Sequence, residues 1–159
     1  MPSICKYHCT SCDFTVSPRS DGYLYVTDGE GTRIPCLHPG EFRTVQRVLE
    51  ASNPEAAKLF ASFIDPYSRW KRGIETIKAK LQGREPPITL ERLMRERTGF
   101  SSYCVCRQCL HEFDIDLRRD ELLCPRCSSG SVSSLRELIG KSCPQCVLGK
   151  IKMKIVGKS

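Results

Sequence analysis

The sequence predicts a small α+β chain held together by bound metal, and three observations carry that reading. Eleven cysteines occur in 159 residues, most of them in Cys-x-x-Cys pairs. They fall in two clusters separated by a cysteine-free stretch from Leu37 to Tyr103. The flanks alternate in β fashion, whereas the stretch between them repeats its apolar residues at helical spacing. The economical organisation is an N-terminal metal-binding β module in residues 1–40, a helical region in 41–99 with a linker at 83–88, and a C-terminal metal-binding region in 100–159.

The first module opens on the knuckle Cys9-Thr-Ser-Cys12. Phe14-Thr-Val16, Gly22 to Thr27 and Thr32-Arg-Ile34 follow as strand segments, with Asp28-Gly-Glu-Gly31 as the turn between the last two. Cys36-Leu-His38, Pro39 and Gly40 close it. From Glu41 the period becomes helical, with Phe42, Val45, Val48 and Leu49 on one face. Asn53-Pro54-Glu55 and Asp65-Pro66 are two helix starts. The second opens a helix whose residues Tyr67, Trp70, Ile74, Ile77 and Leu81 form a narrow apolar seam, which predicts packing against another helix. Gly83 caps it, Pro86-Pro87 breaks regular structure, and Thr89 caps a short helix through Arg97. In the last region Phe113 to Leu117 alternates, with Phe113, Ile115 and Leu117 on one face and Glu112, Asp114 and Asp116 on the other. Ile151, Met153 and Ile155 are expected to form the buried face of a final strand, opposite Lys150, Lys152 and Lys154.

An odd number of cysteines arranged in pairs is how metal sites are written, not disulfide frameworks. Zinc takes four soft or borderline ligands in a tetrahedron, and each Cys-x-x-Cys turn supplies two. Cys106 and Cys109, then Cys124 and Cys127, are two such turns joined by a strand at Leu110 to Leu117, a polar reversal at Arg118 to Glu121 and a short return through Leu122 and Leu123. Cys9 and Cys12 are expected to be completed by Cys36 and His38, since side chains two apart on an extended strand point the same way. Cys5 or His8 is the alternative fourth ligand. Cys143 and Cys146 form a third knuckle whose mate is open: Cys104, Cys5 and the ligands of the first module are candidates. At least two zinc ions are expected, and a third if that knuckle closes separately. Iron is the chemical alternative in a four-cysteine site.

The stretch from Tyr103 to Leu135, carrying Cys106, Cys109, Cys124 and Cys127, resembles the zinc-ribbon superfamily. That resemblance implies a structural zinc and leaves the partner open, because ribbons bind DNA, RNA and proteins alike. Taken whole, the chain also resembles a loose group of bacterial zinc-ribbon proteins without a defined activity. The residues carrying that likeness are Gly31-Thr-Arg-Ile-Pro-Cys-Leu-His-Pro-Gly-Glu41 and the three C-terminal pairs ending Cys143-Pro-Gln-Cys146-Val-Leu-Gly149. That likeness covers both ends and not the helical middle, and it implies zinc binding. Joined to the helical period of the middle, the expected fold is a zinc-stabilised N-terminal β module, a helical middle and a C-terminal zinc ribbon with an additional knuckle.

Function classes narrow from there. A zinc hydrolase needs an open coordination position and a base beside it, and a site filled by four cysteines has neither. A zinc deaminase needs His-x-Glu, whereas His111 and Glu112 are adjacent. Dithiol redox chemistry is the lesser alternative: Cys124-Pro-Arg-Cys127 and Cys143-Pro-Gln-Cys146 precede turn sequences instead of the helix N-terminus that lowers a thiol pKa. What remains is non-catalytic binding. The formal charge of +7 is carried by the middle and the C-terminal region. Lys150, Lys152 and Lys154 on the last strand, with Arg69, Lys71 and Arg72 on the seam helix, are the candidate contacts to nucleic acid. The alternative is a protein adaptor or assembly factor with an acidic partner. No small-molecule substrate is implied. The start, Met1-Pro2-Ser3-Ile4-Cys5-Lys6, has no apolar run like a signal peptide and no run is long enough to span a membrane, so a reducing cytoplasm is expected.

Overall fold

The computed structural model describes residues 3–17, 21–64, 66–85 and 87–158. The positions of Asp65 and Pro86, on which one helix start and the linker partly rest, lie outside the described residues. By contact density the chain divides into two units, Met1–Tyr23 with Phe100–Ser159, and Leu24–Gly99. The division is not into three consecutive segments: the first 23 residues cluster with the C-terminal region.

The first unit is built on two β arrangements. Strands β1 (Ser3–Cys9), β2 (Thr15–Val16) and β8 (Ile151–Lys158) form an antiparallel sheet in the order β2-β1-β8. The register sets Tyr7 opposite Met153, Lys6 opposite Lys154, His8 opposite Lys152 and Cys9 opposite Ile151. Strand β5 (Thr98–Cys106) pairs with both β6 (Glu112–Ile115) and β7 (Val132–Ser134). Leu135–Leu138 form the single-turn helix α5, held by a capping box between Ser134 and Glu137. Tyr7, Phe14, Val16, Val105, Leu135, Leu138 and Ile151 make one core, into which Cys9 and Cys143 also pack. Tyr7 reaches Asp21 with its hydroxyl at 2.7 Å, and Arg136 holds the other carboxylate oxygen at 3.0 Å.

Two expectations for this unit change. The partner of β6 is β5, on the N-terminal side of Cys106, and Leu122 and Leu123 form no strand. A knuckle needs a strand entering and one leaving, and β5 and β6 supply both. The alternation also stops at Ile115: Asp116 turns inward, only 2% exposed, where its carboxylate accepts from the Arg118 amide and Asp120 accepts from its own amide. A turn of that type needs its acid folded back on the backbone.

The second unit holds the β-hairpin of Leu24–Thr27 in β3 (Gly22–Thr27) with β4 (Arg33–Cys36), and helices α1 (Glu41–Ser52), α2 (Ala56–Ile64), α3 (Pro66–Leu81) and α4 (Leu90–Arg97). Asp28 makes the expected turn by accepting from the amides of Glu30 and Thr32 at 2.9 Å each. Val45, Val48 and Leu49 are buried as the helical period predicts, against Val26, Leu59, Phe60 and Leu93. Phe42 sits at the rim, edge-on to Phe60 with ring centroids 5.7 Å apart. The Asn53 side chain accepts from Glu55 N at the start of α2, and Thr89 accepts from Arg92 N at the start of α4. At the end of α3, Gly83 takes φ 62° and Arg84 N donates to Ala79 O, closing a left-handed C-cap that glycine adopts without steric cost. Arg97 ties α4 to the hairpin by donating to Thr27 O at 2.9 Å.

Candidate metal centres

Strand β1 delivers Cys9 directly to the mouth of a knuckle. The chain turns through Ser11, and Cys9 N donates to Phe14 O at 3.0 Å. On the other side, Cys143 and Cys146 sit on a turn closed by Val147 N to Cys143 O and by Cys143 N to Gly149 O at 2.8 Å. The β1–β8 ladder brings these two turns together, with Thr10 and Lys150 bonded across them in both directions. The result is one cluster, Cys9, Cys12, Cys143 and Cys146, whose ligand atoms all lie within 4.8 Å of one another. Cys9 and Cys146 sulfurs are 3.6 Å apart, and Cys12 and Cys143 sulfurs 3.7 Å.

The second cluster is Cys106, Cys109, Cys124 and Cys127, as the spacing predicts. Its sulfur pairs, Cys106 with Cys127 and Cys109 with Cys124, are each 3.6 Å apart. A tetrahedron with metal–sulfur bonds of about 2.3 Å has edges of about 3.8 Å, so both clusters have the dimensions of a tetrathiolate zinc site. Disulfide sulfurs would be about 2.0 Å apart, and all eleven cysteines are unbridged. Two candidate groups are found among the described residues, and they could hold two zinc ions.

Three of the four knuckles share a backbone device. Leu110, Ser128 and Val147, each directly after the second cysteine of its pair, have φ of 59°, 56° and 62°. Each also donates its amide to the carbonyl of the first cysteine, four residues back. Backbone amides also point at sulfur, both in the Cys143–Cys146 turn and in the Cys9–Cys12 turn, which lacks the left-handed step. In the first cluster Ser11 N bonds Cys9 at 3.3 Å, Gln145 N bonds Cys143 at 3.4 Å and Gly149 N bonds Cys146 at 3.4 Å. Four thiolates around a divalent cation leave an excess of negative charge, and such amides offset it.

The thiol acidities express the same crowding. Burial raises the Cys9 thiol, but the Ser11 amide and the thiols of Cys12, Cys143 and Cys146 outweigh it and bring it down to about 7. For Cys12 the Phe14 amide favours the thiolate, yet burial and the neighbouring sulfurs override it and push the group to about 12. The second cluster repeats the split, with Cys124 lowered to about 7 and Cys127 raised to about 12. Four sulfurs this close resist full ionisation unless a cation joins them.

The structure corrects the expected N-terminal ligand set. Cys36 lies in the other unit, buried in the core with Val26, Val45 and Leu49, and its sulfur bonds Ile34 O at 3.7 Å. Burial and the Glu41 carboxylate raise its thiol pKa. His38 is exposed and bonds Glu41 through Nδ1 at 2.7 Å. Strand β4 ends at Cys36, so the alternation that would have aligned residues 36 and 38 no longer applies. Cys5, His8 and Cys104 belong to neither cluster. The third knuckle therefore completes the first one, and no separate third group occurs among the described residues.

Gly149 is a site residue that the spacing of cysteines does not reveal. A β-carbon there would meet Cys9 Sγ at 2.3 Å, Ser11 Cβ at 2.9 Å and Ser11 N at 3.0 Å. The signal in the sequence was faint, because the equivalent Gly130, three residues after Cys127, has its nearest neighbour at 3.7 Å.

Of the candidate nucleic-acid residues, Lys152 and Lys154 lie on β8, and Lys150 immediately precedes it. Lys71 is exposed on α3, whereas the side chains of Arg69 and Arg72 lie outside the described residues. Met153 and Ile155 are 43% and 56% exposed, so Ile151 alone of the three expected residues is buried. Among the described residues no helix is long and apolar enough to cross a membrane.

Comparison with known protein families, with curated proteins and with solved structures gives no match. What fold and site define is a class: a two-unit α+β chain with two four-cysteine clusters of zinc dimensions, both in the unit formed by the two ends of the sequence.

Proposed function

We propose that the chain is a non-catalytic, zinc-stabilised binding protein that contacts the phosphate backbone of nucleic acid through the sheet of β1 and β8. Four cysteines satisfy each tetrahedron, which leaves the metal a structural role and no position for water. The second cluster, flanked by β5 and β6, supports the zinc-ribbon reading of that region.

One observation carries the nucleic-acid reading. Lys6 stands opposite Lys154 and His8 opposite Lys152, so the register gathers these groups on one face of the sheet. Lys150 continues the same alternation. Like charges directly across a ladder are unfavourable unless an anion lies over them. None of Lys6, Lys150, Lys152 and Lys154 forms an ion pair among the described residues. Alternation along β1 places Cys9 with Tyr7 on the opposite face, so these lysines are not turned toward the sulfurs.

Replacing Lys6, Lys152 and Lys154 together by glutamine is expected to weaken binding of an RNA hairpin and a DNA duplex alike. It should also flatten the dependence of log affinity on log salt by up to about 3 units of slope. Anisotropy titrations at two salt concentrations read both. Unchanged affinity and slope, with two zinc ions still bound, would move the reading to a protein adaptor.

A further inference from the structure

The seam of α3 does not pack where its pattern says it should. Tyr67, Trp70, Ile77 and Leu81 are 70%, 65%, 60% and 82% exposed, and Ile74 is half-buried. The helix instead turns Ala79 inward, 8% exposed. Its outward residues follow steps of 3, 4, 3 and 4, the a and d positions of a heptad, and a helix with that pattern is written for a second helix.

The flanks say which kind. With Tyr67 at a, the e positions are Lys71 and Lys78 and the g positions within the helix are Pro66, Gly73 and Lys80. All three lysines are exposed, and none forms an ion pair among the described residues. A second copy would offer these lysines no acid in either orientation, because the e and g positions of its own α3 are Lys71, Lys78, Pro66, Gly73 and Lys80. The acids of α4 are already engaged on their own helix, Glu96 with Arg92 and Glu91 with Arg95. Stacked nucleic-acid bases would use Tyr67 and Trp70, but give no reason for Ile74, Ile77 and Leu81 at heptad spacing.

We propose that α3 is a docking surface for an amphipathic helix of another protein, with apolar residues at its a and d positions and Asp or Glu at e and g. Trp70 and Tyr67, whose rings lie 6.3 Å apart, are its anchors, since large aromatics carry most of the energy of such contacts. The three lysines select the acidic partner and disfavour a basic one. This surface lies in the helical unit and its fate is separable from that of the β1–β8 face.

The test uses the full zinc-loaded chain and two labelled synthetic helices of about three heptads. Both have leucine at a and d; one carries Glu and the other Lys at e and g. Anisotropy is expected to show at least about tenfold tighter binding of the Glu-flanked helix, weakening with salt. Trp70→Ala with Leu81→Ala should reduce that binding at least about tenfold, with zinc content and helical signal unchanged because both positions are exposed. Lys71→Glu, Lys78→Glu and Lys80→Glu together should invert the preference toward the Lys-flanked helix, a gain that misfolding cannot imitate. Equal binding of the two helices, or none, overturns the proposal. So does a dimer in sedimentation that the Trp70/Leu81 variant dissolves, which would make the occupant a second copy. Loss of RNA-hairpin affinity in that variant, without a preference between the helices, would assign the face to nucleic acid instead.

Discussion

Removing metal with a strong chelator is expected to unfold Met1–Tyr23 and Phe100–Ser159 while Leu24–Gly99 keeps its helices. Both cysteine clusters lie in the first unit, and their residues also serve its core: Cys9 and Cys143 pack among Tyr7, Phe14, Val16 and Ile151. A structural zinc contributes on the order of 10 kcal/mol of apparent binding free energy, comparable to the whole stability of a small domain. The second unit owes nothing to metal on this account. Its core of Val26, Val45, Leu49, Leu59, Phe60 and Leu93 contains one cysteine, Cys36, which belongs to neither cluster. Hydrogen exchange should show the amides of β1 and β8 losing protection with the zinc and those of α1 and α2 retaining it. Collapse of the helical amides at the same chelator concentration would show that the second unit depends on the metal after all.

Gly149→Ala should weaken the first zinc site without abolishing it. The added methyl would press on a sulfur and on the Ser11 backbone, and neither can give way, since Cys9 is held by its ladder to Ile151 and Ser11 N bonds that same sulfur. Overpacking of this kind costs about 1–3 kcal/mol, which predicts a zinc affinity at the first site roughly 10- to 100-fold weaker. Gly130→Ala is the matched control, because its new carbon would meet Leu122 O only at 3.7 Å, an ordinary contact. Competition with a chromophoric chelator measures both. Equal behaviour of the two variants would contradict the geometry drawn around Cys9.

Local chemistry was legible in the sequence where one element decides it. The period of Val45, Val48 and Leu49, the Asn53 and Thr89 caps, the Asp28 turn and the left-handed Gly83 are set by residues within a few positions of one another. The Cys106/Cys127 site was legible for the same reason, because its two turns are close in sequence. The first site was not, because its halves lie 131 to 137 positions apart. Spacing is silent on pairings that depend on a strand at one end of the chain finding its partner at the other. Cys36 and His38 were nearer in sequence to Cys12, but β4 ends at Cys36 and turns it into an apolar core instead. The exposed seam of α3 failed in the opposite direction: its period announces a helix contact, and periodicity cannot say whether the second helix belongs to this chain.

The central claim is that Cys9, Cys12, Cys143 and Cys146 hold a single ion between the two ends of the chain, and metal stoichiometry of a double variant tests it most directly. Purified chain should carry two zinc ions. Cys12→Ser and Cys143→Ser should each lose the same one, and the two together should still lose only that one, leaving the ion of Cys106, Cys109, Cys124 and Cys127 in place. Cys36→Ser and His38→Ala should keep both ions. A double variant that loses two ions, or a Cys36→Ser variant that loses one, would contradict the shared site.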